Sequence, residues 1–154
     1  MALKSVSLTR TTKYALKQEQ HKDAQGKHTG EPIDGATIFE LRPLSARLLA
    51  FVKDQATEFR PDSEAGDGQM KASFLPHKSA LETVRVALVG WENLLDDEGN
   101  AVPFKTMKRN VAGKDLETPN ADTMDRLDLE WVREMSEVVD SANDVDDDEA
   151  KTSA

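Results

Sequence analysis

Cysteine is absent from the 154 residues. Disulfide scaffolds, Cys-ligated zinc, iron–sulfur clusters and thiol nucleophiles are therefore excluded together. Long apolar runs are missing too: LLAFV and VALV are far shorter than the roughly 20 residues of a membrane helix. The start, MALKSVSLTR, lacks an apolar stretch and a small-residue cleavage site, so no export signal is expected. Basic charge is in deficit, with 20 Lys+Arg against 29 Asp+Glu and a net charge of −9. Such a surface repels nucleic-acid phosphates and anionic lipid, which argues against a general DNA or RNA coat. These absences predict a soluble, cytoplasmic product without membrane contact.

What is present suffices for a modest core: 38% of residues are apolar and 32% charged. The length predicts one domain with loose ends. Charge is unevenly placed. Residues 1–35 carry six Lys/Arg against four Asp/Glu, 36–119 carry eleven against thirteen, and 120–154 carry three against twelve. A mildly basic front and a strongly acidic tail polarise the chain. The tail is either a solvating extension or a segment that docks on a basic surface of a neighbour.

Residues 1–12, with Leu3, Val6 and Leu8 among Ser and Thr, read as an edge strand or extended arm. Lys13 to Glu19 and Ala36 to Leu41 read as short strands that pair antiparallel. The connection between them, through residue 35, is long enough for a mobile loop. Helical spacing of Leu44, Leu48, Val52 and Phe59 predicts a helix opened by Pro43. RPDSEAGDG then reads as an exposed loop. Ser79 and Glu82 fit a capping box for a second helix carrying Leu81, Val84, Leu88, Trp91 and Leu95. AVPF leaves that helix extended, because Val102 precedes a proline. KTMKRNVAGKDLETP reads as an irregular basic connector. A last helix begins near Pro119 or Asn120, with Asp122 and Asp125 at its positive end and Met124, Leu127, Trp131, Met135 and Val138 on one face.

The expectation is one α+β domain over 13–141, helix-dominated, in which a short antiparallel sheet or hairpin packs with about three helices. Residues 142–154 form an acidic tail. Trp91, Trp131, Leu48, Leu88 and Met135 are the expected core anchors, since large apolar side chains bring the most buried area.

No motif points to chemistry. Asp96, Asp97 and Glu98 precede Gly99 and Asn100 in a run that invites a calcium reading. Aligning Gly99 with the sixth position of an EF-hand loop puts Leu94 first and Lys105 twelfth, so both ends of the chelate fail. The same acids sit in a glycine turn, with nothing apolar to separate their pKa values for acid–base work. The favoured reading is a solvated turn with Gly99 or Asn100 left-handed. His21, His28 and His77 show no zinc spacing. Neither a Gly-x-Ser-x-Gly elbow, a Walker loop nor a dinucleotide fingerprint occurs. No catalytic, metal or cofactor residue is assigned, and an enzyme is not expected.

Lys105, Lys108, Arg109 and Lys114 could touch phosphates, but only Phe104 stands near them to stack on a base. Conversely, an acidic helix extended by Asp146, Asp147 and Asp148 could mimic nucleic acid in a partner's basic groove; a solvated face with a disordered tail is the plainer reading.

Two segments carry a family resemblance. IFELRPLSARLLAF is similar to the strand-then-helix opening of small tail-assembly proteins of tailed bacteriophages. VRVALVGWENLLDDEGNAVPF resembles their later segment, in which a helix ends in Gly-Trp-Glu-Asn before an acidic Gly-Asn turn and Pro-Phe. A short acidic helix often follows, as LDLEWVREMSEVV does here. The connector after Phe104 and the ending DVDDDEAKTSA lie outside that pattern. The resemblance implies a non-enzymatic structural or assembly protein of the tail, neck or baseplate, or a tail assembly chaperone that binds tube or tape-measure protein and is absent from the virion. An acidic regulator is the other class. Implied partners are other phage structural proteins, or further copies of the chain in a ring or tube. The implied place is host cytoplasm and then virion. Asp96 to Asn100, Lys105, Lys108, Arg109 and Asp146 to Asp148 are the expected contact residues. Opposite charges on the two ends would favour head-to-tail contacts that weaken as salt rises.

Overall fold

A computed structural model describes residues 2–3, 9–61 and 68–152, with side chains described as far as residue 142. Residues 1 and 4–8 of the expected arm, and most of the RPDSEAGDG loop, lie outside the described residues. The fold is not helix-dominated. Among the described residues it is mixed, with four α-helices and nine strands in four small sheets.

The central sheet has three antiparallel strands in the order β1 (Thr12–Tyr14), β4 (Ile38–Leu41), β7 (Leu88–Glu92). Thr12 faces Leu41 and Tyr14 faces Phe39, so the expected pairing of the first strand with IFEL is observed. The first strand is shorter than expected, because Lys17–Glu19 closes a 3-10 turn with Glu19 N–H donating to Leu16 O. The expected mobile loop is instead a hairpin, β2 (Gln20–Lys22) against β3 (His28–Pro32).

Alpha-helix α1 (Ala46–Gln55) starts at Ser45, whose Oγ accepts from Leu48 N–H. Pro43 therefore precedes the helix instead of opening it. The helix stops before Phe59, which lies on β5 (Thr57–Pro61), paired with β6 (Met70–Phe74). Alpha-helix α2 (Pro76–Ala87) starts at Pro76, where a missing N–H is harmless. The capping box is overturned: Ser79 and Glu82 are both buried inside the helix. Leu88, Trp91 and Leu95 do not continue it. Backbone pairing of Phe39 with Trp91 and Leu41 with Leu88 turns that segment into a strand.

The expected basic connector is a regular hairpin, β8 (Thr106–Val111) with β9 (Lys114–Pro119). Ala112 and Gly113 both have positive φ, 51° and 83°, as the tightest two-residue hairpin turns require. The last helix is split in two. The single turn α3 (Ala121–Met124) is capped by Asn120, and α4 runs over Leu129–Thr152. The backbone of the expected tail thus continues α4 as far as Thr152.

Helix α2 is the spine. It packs on α1 and on α4, and β9 also contacts it. Leu16, Phe39, Leu44, Leu48, Val52, Val84, Leu88, Val132 and Met135 are buried in one cluster. Phe39 is fully buried and is flanked by Trp91 at 6.4 Å and Trp131 at 6.5 Å between ring centroids. The two tryptophans each lean on Phe39, and both remain half-buried.

Candidate interaction surface

Two hairpins stand out from the body, and their chemistry differs. In the β2–β3 hairpin every residue of β3, HTGEP, is exposed. That is an ordinary solvated ribbon. In the β5–β6 hairpin no residue of either strand is buried, yet three carry large apolar side chains. Phe59 is 66% exposed, Met70 58% and Phe74 52%.

The register places these side chains together. Thr57 faces Phe74, Phe59 faces Ala72, and Pro61 faces Met70. Residues directly opposite in a ladder share a face, and alternate residues along a strand share that same face. One side of the ribbon is therefore Thr57, Phe59, Pro61, Met70, Ala72 and Phe74. The other side pairs Glu58 with Ser73 and Arg60 with Lys71, and Arg60 also reaches Glu58 at 2.7 Å. The base is held by Leu75 N–H donating to Ala56 O at 2.8 Å.

An isolated two-stranded hairpin is marginal in water and needs a third layer on its apolar face. Apolar patches of this kind mark contact sites. Sequence reasoning missed the ribbon because Phe59 extended the helical spacing of α1. The available signal was the alternation in Met-Lys-Ala-Ser-Phe, which has period 2.

The residues expected at contacts fall in separate places. Asp96 to Asn100 form the anticipated turn, following β7 and not a helix. Asp96 Oδ1 accepts from the N–H groups of Glu98 and Asn100, both at 2.9 Å. Gly99 takes φ +83°, and Asp97 and Glu98 point into solvent. Trp91 Nε1 donates to Val102 O at 2.8 Å, and its ring meets Phe104 edge-on at 4.9 Å. The turn is thus pinned to the body behind it.

Lys105 and Lys108 are exposed. Arg109 is not available to phosphates, because its Nη2 lies 3.2 Å from Glu82 Oε2. The side chains of Asp146, Asp147 and Asp148 lie outside the described residues, although their backbone is helical. Leu88 and Met135 are fully buried and Leu48 nearly so. Among the described residues, the expected contact residues are therefore split between the acidic turn, the exposed lysines and the Arg109–Glu82 pair.

Two further groups are tied into the frame. Tyr14 donates to Glu134 Oε2 at 2.7 Å, and Lys17 N–H donates to the same oxygen at 2.8 Å. Burial first, and then the Glu134 carboxylate, push the Tyr14 phenol well above its ordinary range. Arg42, the residue after β4, donates from Nη2 to Glu117 O of β9 at 2.6 Å, and burial lowers its pKa.

A cleft of about 300 Å³ is lined by Val102, Pro103, Lys105, Asp122, Asp125 and Arg126. Its two cations and two carboxylates balance, so it favours neither a simple anion nor a simple cation. Among the described residues, no group of three or more His, Asp or Glu side chains is placed to hold a metal ion, and no helix is long and apolar enough to cross a membrane. The chain matches no known family model, no curated protein and no solved structure.

Proposed function

We propose that this chain is a non-enzymatic structural or assembly protein of a tailed bacteriophage, acting by protein–protein contact in the tail, neck or baseplate. The observation that carries contact as its work is the β5–β6 ribbon, whose apolar face is open to water. The phage setting rests on the resemblance of IFELRPLSARLLAF and of the GWEN, DDEGN and PF elements. That resemblance now needs one adjustment, because Gly90, Trp91 and Glu92 lie on β7 and not at a helix end.

Quantitative mass spectrometry of purified particles from the source phage tests the proposal. A fixed copy number relative to other tail or neck proteins supports a virion component. Absence from particles, with capture of tube or tape-measure protein from infected cells, supports the transient chaperone. Absence from both overturns the assembly reading.

A second reading draws on α4. Its helical backbone continues through Asp146, Asp147 and Asp148, giving a rod of negative charge suited to a partner's basic groove. This acidic regulator predicts competition with DNA for that partner, abolished by deletion of 140–154.

A further inference from the structure

The β5–β6 face is rough in an ordered way. Each of its three rungs joins one large residue to one small one: Phe74 with Thr57, Phe59 with Ala72, Met70 with Pro61. The large member changes strand at every rung, from β6 to β5 and back to β6. Knobs and hollows therefore alternate in both directions across the face.

That pattern is complementary to itself. A half-turn about an axis running along the hairpin, midway between its strands, exchanges the two strand positions at each rung. Phe74 of a copy then falls over Thr57, Phe59 over Ala72 and Met70 over Pro61. An axis crossing the strands at the middle rung does the reverse, setting Phe59 on Phe59 and Phe74 on Met70. Packed sheets lie about 10 Å apart only when their side chains interdigitate. The first arrangement allows this at all three rungs.

We propose that a second copy of this chain covers the β5–β6 face, the two ribbons packing knob into hollow about a two-fold axis along the hairpin. This deepens the assembly reading and rests on it. No charged side chain lies on the packed face. Arg60, Lys71 and Ser73 are exposed on the opposite side, where half-buried Glu58 pairs with Arg60.

Area sets the strength. A fully buried aromatic side chain contributes about 150–250 Å², so three partly exposed knobs offer on the order of 300–400 Å² per copy. A standard stable interface needs roughly 800 Å² per partner. The contact is therefore reversible and concentration-dependent, and it gains permanence only when repeated in a larger array.

Sedimentation velocity of the full chain over a concentration series tests the pairing, with circular dichroism to confirm folding. Wild type should form a dimer whose Kd is unchanged or lower when salt rises from about 0.05 to 0.5 M, since screening relieves repulsion between acidic bodies. Phe59→Ser should raise Kd at least tenfold. Ala72→Phe should do the same although it makes the face more apolar, because it fills the hollow that receives Phe59. The double variant Phe59→Ala, Ala72→Phe moves the knob to the other strand and should restore the wild-type Kd.

A wild-type chain that stays monomeric to about 0.5 mM overturns the proposal. So does tighter association of Ala72→Phe, failure of the double variant to recover, or a dimer lost at high salt. The last result would point to the charge-driven, head-to-tail contact instead. The two proposals fail separately. Loss of hairpin variants from particles with a monomeric wild type removes only the self-pairing. An intact dimer with no association to phage structural proteins removes only the assembly reading.

Discussion

Arg109 on β8 lies 3.2 Å from the Glu82 carboxylate of α2, and Arg85 approaches the other oxygen of that carboxylate at 3.4 Å. The Glu82 side chain is only 12% exposed, so a largely buried charge is held by two cations from two elements. The pair clips the β8–β9 hairpin onto the helical spine.

Arg109→Gln should therefore cost about 2–3 kcal/mol, because it strands a desolvated carboxylate with its longer partner. Lys108→Gln, next to it but exposed, should stay within about 0.5 kcal/mol of wild type. Urea denaturation of both variants measures the difference. Equal losses would show that the Glu82 clip adds nothing beyond an ordinary surface pair.

Both partners of that clip had suggested other roles in the sequence, and the reason applies across the chain. Glu82 sits three residues after Ser79 and looks like a cap, while Pro76 marks the real helix start. Arg109 stands among lysines and looks like a phosphate contact, since nothing local shows that α2 lies beneath it. The pairing of β1 with β4, and α1 behind it, was legible because those apolar residues follow one period at a time. The segment 81–95 was not, because its spacing fits a helix throughout. What ends α2 at Ala87 is the backbone pairing of β7 with β4, a tertiary contact that overrides local preference. Val89 and Gly90 were the local hint, as both disfavour helix. The contact ribbon β5–β6 was hidden in the same way by Phe59.

The turn of the β8–β9 hairpin places Ala112 at φ 51°, a left-handed conformation that costs a non-glycine residue roughly 1–2 kcal/mol. Asparagine tolerates this position, and Asn-Gly is the preferred pair for such a turn. Ala112→Asn should stabilise the protein by about 0.5–1 kcal/mol. Gly113→Ala, at φ 83°, should destabilise it by about 1 kcal/mol or more. Thermal melting of the two variants checks the opposite signs.

Tyr14 makes stability fall in alkali. Its folded pKa is raised above the unfolded value of about 10, so the native state holds the phenolic proton more tightly. The resulting stabilisation is fully present below about pH 10 and is lost as pH rises beyond it. Tyr14→Phe should lower stability at pH 7 by about 1 kcal/mol through loss of the bond to Glu134. It should also flatten the decline between about pH 10 and 11. Chemical denaturation at pH 7, 9.5 and 11 tests both parts; a variant as alkali-sensitive as wild type would assign the decline to other groups.

The acidic turn separates structure from recognition at single residues. Asp96 organises it by accepting two backbone N–H groups through one oxygen, whereas Asp97 and Glu98 accept none in the turn and face water. Asp96→Ala should cost about 1 kcal/mol and loosen the loop before Val102. Asp97→Asn with Glu98→Gln should leave the melting curve unchanged. If the turn is also read by a partner, that silent double variant should weaken capture of phage structural proteins while folding stays intact. Unchanged capture would confine partner recognition to other surfaces and leave Asp96 to Asn100 as a purely structural turn.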